Sequence, residues 1–125
     1  MAVWNRKIGA GRALAYVAFV VAAATVLALG LFDTGGLMAA TGQSDLTLHA
    51  TAFFLLGALG RLVSPALPLF LSLVALAAGL ELAQYLGPWH EAGFFDILAG
   101  AAGAGLGILA TGALRRGAGG AVPAE

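Results

Sequence analysis

The stretch ALAYVAFVVAAATVLALGLF, Ala13–Phe32, runs for twenty residues without one charged side chain. A helix needs about 20 apolar residues to cross a hydrocarbon core, so this stretch reads as a membrane span. Arg6, Lys7 and Arg12 precede it, as they would precede a secretory signal. The apolar run is longer than the ~7–15 residues of a signal core, and no clean A-x-A cleavage site follows. A retained span is the better reading.

The rest of the chain agrees. Of its 125 residues, 61% are hydrophobic and 10% are charged. Its mean hydropathy of +0.97 is far above that of a soluble domain. Three more apolar segments run from about 45 to 63, 68 to 86 and 94 to 114. Ser44 is placed to cap the first of these, because its hydroxyl can accept from a first-turn N–H. Pro65 and Pro68 mark a turn, and Gly87-Pro88 ends the third segment. The runs are continuous, unlike the short alternating segments of a barrel, and lipid tolerates no open sheet edge. The expectation is an all-α integral membrane four-helix bundle, one domain over residues 1–114. The tail 115–125 is rich in Gly and Ala without apolar periodicity, so it reads as disordered.

All six basic residues fall on one side of a four-span arrangement: Arg6, Lys7, Arg12, Arg61, Arg115 and Arg116. The opposite side holds Asp33, Asp45, His90, Glu91 and Asp96. Basic residues stay inside, which puts both termini in the cytoplasm. Zero net charge gives no case for nucleic acid. The absence of cysteine excludes thiolate chemistry and disulfides. Trp4, Tyr85 and Trp89 suit the interface as anchors.

Ionisable groups inside membrane segments are costly and call for a partner, a cavity or a function. Asp45 and His49 are four apart and share one helix face, with His49 about 6 Å deeper. Glu81 and Gln84, three apart, share another face. Asp96 opens the last segment, where Asp96, Gly100, Gly103 and Gly107 form one stripe. Small residues let helices approach closely, so Asp96 is expected to face the bundle. Helix-end capping competes as an explanation for Asp45 and Asp96, a hydrogen bond to backbone competes for His49, and solvation in a loop competes for His90. Glu81 lies mid-segment, with His49 or Gln84 as its expected partner.

At these residues the chain resembles the VanZ-like family, bacterial membrane proteins named for a component linked to teicoplanin resistance. The family pattern D-K-x-x-H-x-x-x-Y-x-x-L-G corresponds to Asp45, His49, Phe53, Leu56 and Gly57 here. Its E-x-x-Q corresponds to Glu81 and Gln84, and its D-x-x-x-N-x-x-G-x-x-x-G to Asp96, Gly100, Gly103 and Gly107. Leu46, Phe53, His90 and Gly100 stand where the family has Lys, Tyr, Arg and Asn. The resemblance covers about half the chain. It implies a small multi-pass protein of the bacterial cytoplasmic membrane, in the cell envelope, with a link to antibiotic resistance.

The functional expectation is an outward-facing polar pocket that binds or processes a membrane lipid, a lipid-linked envelope intermediate or a (lipo)glycopeptide. Glu81 is the candidate catalytic acid or base, with His49 as its partner, since imidazole exchanges protons near neutrality. Asp45, Gln84, His90 and Asp96 are the candidate ligand-binding residues. Asp45, His49, Glu81 and Asp96 would also serve as metal ligands, but a metal-free, cofactor-free site is expected. A proton-coupled transporter or flippase and a non-enzymatic assembly factor are the competing readings. The glycine stripe would serve either internal packing or homo-oligomer formation.

Overall fold

A computed structural model describes residues 9–32, 34–87 and 93–119. Within them the chain is all helical: α1 (Ala10–Phe32), α2 (Thr34–Thr41), α3 (Asp45–Gly60), α4 (Ala66–Leu86) and α5 (Phe94–Gly119). Helices α1, α4 and α5 are long and apolar enough to cross a membrane. At 16 residues α3 is shorter, about 24 Å at 1.5 Å per residue.

Polar contacts show which helix ends meet. Arg115 near the end of α5 donates to the Arg61 carbonyl at 3.1 Å. Arg12 at the start of α1 approaches the Val63 carbonyl at 3.5 Å. The beginning of α1, the α3–α4 turn and the end of α5 therefore share one end of the molecule. At the other end, Gln84 of α4 donates to Gly30 of α1 at 2.8 Å. Glu81 of α4 there meets both His49 of α3 and Gly93, just before α5.

The closest packing joins α3 to α5. A Cβ on Gly103 would run into the Ala50 carbonyl oxygen, and one on Gly107 into that of Phe54. Only a residue without a side chain permits this approach, and the small-residue stripe is thereby used inside the chain. Thr111 adds a 3.0 Å hydrogen bond to the Ala58 carbonyl across the same seam. Phe53 and Leu56 are fully enclosed, and Leu69, Leu73 and Ala77 of α4 pack onto them. Helix α1 has no buried residue. It leans on this core through half-buried Phe19, Val26 and Leu27.

Four element boundaries depart from the sequence reading, the first being the start of α1 at Ala10 and not Ala13. Helix α3 ends at Gly60, not 63. Helix α4 starts at Ala66, because Pro65 caps it from outside and Pro68 sits in the first turn. There the proline's missing N–H removes no helical bond. Helix α5 runs to Gly119 through the stretch read as tail. Arg115 and Arg116 are good helix formers, and their charge suits a helix C-terminus. Residues 120–125, Trp4, Trp89, His90 and Glu91 lie outside the described residues. Helix α2 lies in the stretch between the first two apolar segments, where the sequence reading places no helix. It ends at Gly42, whose φ of +68° is left-handed, a conformation that glycine takes without strain.

Replacing Gly103 with Val should destabilise the protein by about 1–3 kcal/mol through overpacking. Gly79→Ala, whose Cβ would meet nothing within 4 Å, should stay within about 0.5 kcal/mol. Reversible unfolding in mixed detergent micelles measures both.

Candidate functional site

Ser44 starts α3 by accepting the Thr47 N–H at 3.2 Å. That fixes the first turns, which carry Asp45 and His49. The ring Nδ1 of His49 lies 3.1 Å from the Asp45 carbonyl oxygen and 3.4 Å from Asp45 Oδ1. A carbonyl can only accept, so Nδ1 carries the proton. Nε2 points the other way and lies 2.9 Å from Glu81 Oε1. Both residues are buried, His49 at 6% and Glu81 at 4% relative exposure. Glu81 Oε2 accepts the Gly93 N–H at 3.0 Å, one of the backbone donors that the start of α5 leaves without a helical partner.

Since Nδ1 already holds a proton, a bond between Nε2 and Oε1 needs one more. Either an imidazolium faces a carboxylate, or a neutral imidazole faces a carboxylic acid. The pair thus holds one exchangeable proton between two buried groups, which is what general acid–base chemistry uses.

The contact is close but poorly aligned as a hydrogen bond. Among the described residues, His49 Nε2, Glu81 Oε1 and Asp45 Oδ1 are all buried without an aligned hydrogen-bond partner. Buried polar atoms are nearly always satisfied; here Nε2 and Oε1 have only each other, at 2.9 Å, and Asp45 Oδ1 has only the His49 ring, at 3.4 Å, so the cluster keeps bonding capacity that no aligned partner fills.

Asp96 joins this group from the first turn of α5. One oxygen or nitrogen from each of Asp45, His49 and Asp96 falls within 4.8 Å of the others. Two carboxylates and an imidazole are a usable donor set for a divalent cation. His49 could ligate only by releasing Glu81 or the Asp45 carbonyl. The first turn of α5 is tight around Asp96: its N–H donates to the Gly93 carbonyl at 3.0 Å, and a Cβ on Gly93 would lie 2.6 Å from its Oδ2.

Asp45, His49, Glu81 and Asp96 therefore converge as the sequence suggested, and the partner of Glu81 is His49. Gln84 does not join them, because its amide nitrogen is turned to the Gly30 carbonyl in the last turn of α1. Beside the cluster lies an apolar cavity of about 80 Å³ whose walls include Val26, Leu29, Leu37, Asp45, His49 and Leu80. The contributions of α1 and α2 to this wall had no sequence signal, since an apolar residue facing a cavity looks the same as one facing lipid.

These features define a helical membrane protein with a buried polar cluster at one end of its helices. Comparison with family models, with curated proteins and with solved structures finds no match for the chain.

A double-mutant cycle on His49→Ala and Glu81→Ala should give a coupling of about 0.6–1.7 kcal/mol, the range of polar contacts between membrane helices. Equilibrium unfolding of the four proteins measures it, and additive losses would show that the two groups do not interact.

Proposed function

We propose that the chain is a four-span membrane bundle of the VanZ-like type. Both termini are cytoplasmic, and the His49–Glu81–Asp45–Asp96 cluster faces outward to bind or process the polar head of an envelope lipid. The observation that carries this reading is the trio of buried, unaligned polar atoms beside an apolar cavity. Such a juxtaposition suits an amphipathic ligand, with the head on the polar cluster and the chain along Val26, Leu29 and Leu80. The cavity is small beside the ~300–1,000 Å³ of drug-sized sites, which favours a slim lipid chain over a whole glycopeptide. Asp45 and Asp96 would orient the head group, while the His49–Glu81 proton would serve any transfer step.

Transport is less well supported. The described carboxylates, Asp45, Glu81 and Asp96, all lie at one end; further along, buried Leu69, Leu73, Ala104 and Ile108 are apolar, and the hydroxyl of buried Thr111 is held by the Ala58 carbonyl. Oligomer formation through the glycine stripe would have to open the α3–α5 seam. One observation favours a purely structural role: the Gly93 N–H on Glu81 ties α4 to α5.

Glu81→Gln separates the two readings. The amide oxygen can still accept from Gly93, and the amide nitrogen can donate to His49, so a structural role survives. A functional role should not: the variant should insert at wild-type levels yet lose the wild-type phenotype under cell-wall antibiotic challenge in the native host. Unchanged phenotype at unchanged protein level would favour the structural role.

The orientation has its own test, aided by the absence of cysteine. Gln43→Cys should react with an impermeant maleimide on intact cells, and Ala118→Cys only after permeabilisation.

A further inference from the structure

The end opposite the polar cluster holds a second constellation, made of arginines. Arg12 of α1, Arg61 after α3 and Arg115 of α5 line one cleft of about 670 Å³, together with the turn 62–65. Three separate parts of the chain thus bring a permanent positive charge to the same space. Each guanidinium is steered by one backbone carbonyl: Arg61 by Ser64 at 3.2 Å, Arg115 by Arg61 at 3.1 Å and Arg12 by Val63 at 3.5 Å. Each such contact uses a single nitrogen, whereas a guanidinium offers five N–H donors in a planar fork.

Among the described residues no carboxylate pairs with these arginines, and the ion pairs are those of His49 with Asp45 and Glu81, at the far end of the helices. Three like charges around one cleft repel each other unless an anion lies among them. Guanidiniums match the oxygens of a phosphate in pairs, and basic pockets between membrane helices bind phosphorylated lipid head groups. The neighbouring apolar surface suits acyl chains: Leu14 and Leu62 are exposed beside the cleft.

We propose that Arg12, Arg61 and Arg115 form a phosphate-binding site filled by the head group of an anionic phospholipid. The site rests on these side chains alone and is independent of the role given to Glu81.

The full-length protein in a zwitterionic detergent would be titrated with short-chain phosphatidylglycerol, with phosphatidylcholine of the same chain length, and with inorganic phosphate. Phosphatidylglycerol should bind more tightly than phosphatidylcholine, and more weakly as salt rises. The double variant Arg12→Gln, Arg115→Gln should bind it about 25-fold more weakly, as the loss of two basic side chains worth roughly fivefold each implies. Both side chains are exposed and each gives up one solvent-accessible hydrogen bond to a carbonyl, so the variant should fold and its thermal unfolding in detergent should fall only slightly below wild type. Should the double variant fail to fold, Arg12→Gln alone should show about a fivefold loss. Inorganic phosphate that binds as tightly as the lipid, with the same sensitivity to the variants, would support the phosphate site and make the free ion its ligand. Equal binding of the two lipids, or variants that bind phosphatidylglycerol as wild type does, would overturn the proposal.

Discussion

In an apolar surrounding every backbone polar group must find its partner within the protein, and this structure is organised around the places where helices cannot supply one. A helix leaves its first N–H groups and last carbonyls without helical partners. Here neighbouring helices meet several of them. Glu81 accepts from Gly93 at the start of α5, Gln84 donates to Gly30 at the end of α1, and Thr111 donates to Ala58 at the end of α3. Arg115 does the same for Arg61. The few polar side chains of the helices thus also fix which helix ends sit together.

The α3–α5 seam turns that arrangement into a site. Because Gly103 and Gly107 let the two backbones nearly touch, the first turns of both helices are held side by side. Asp45 and His49 on one then face Asp96 on the other. Helix α4 closes the group from a third side with Glu81, which its place near the end of the helix brings level with His49. Residues with no polar chemistry of their own therefore determine the geometry of those that have it.

Much of this was legible in the sequence. The uncharged run 13–32 signalled a membrane helix, the Asp45–His49 spacing gave a shared face, and the Gly100–Gly103–Gly107 stripe gave the packing edge. Charge and helical period are robust signals, because lipid penalises exceptions to them. Other features left no such trace. Pro68 looked like a breaker, but a proline in the first turn forfeits nothing. Helix α2, of only eight residues, is too short to show as a membrane-length run, yet its Leu37 borders the cavity. Gln84 shared a face with Glu81, yet its amide N–H, a donor that a carboxylate lacks, went to the Gly30 carbonyl. A face defines a direction for a side chain and not the partner found there.

The polar cluster is hard to account for by stability alone. Burying His49 and Glu81 together forfeits their solvation, and such pairs are often no more stable than well-packed apolar residues in their place. The single aligned bond from Gly93 to Glu81 would offset only part of that cost, and an uncharged acceptor would serve it as well. Asp45 adds a further carboxyl oxygen with no aligned donor, close to Asp96. Leucine at position 81 would fill the volume and remove the cost of burying a carboxyl group. What leucine would not provide is an exchangeable proton beside an apolar cavity, and that capacity is the feature of this arrangement that packing does not explain.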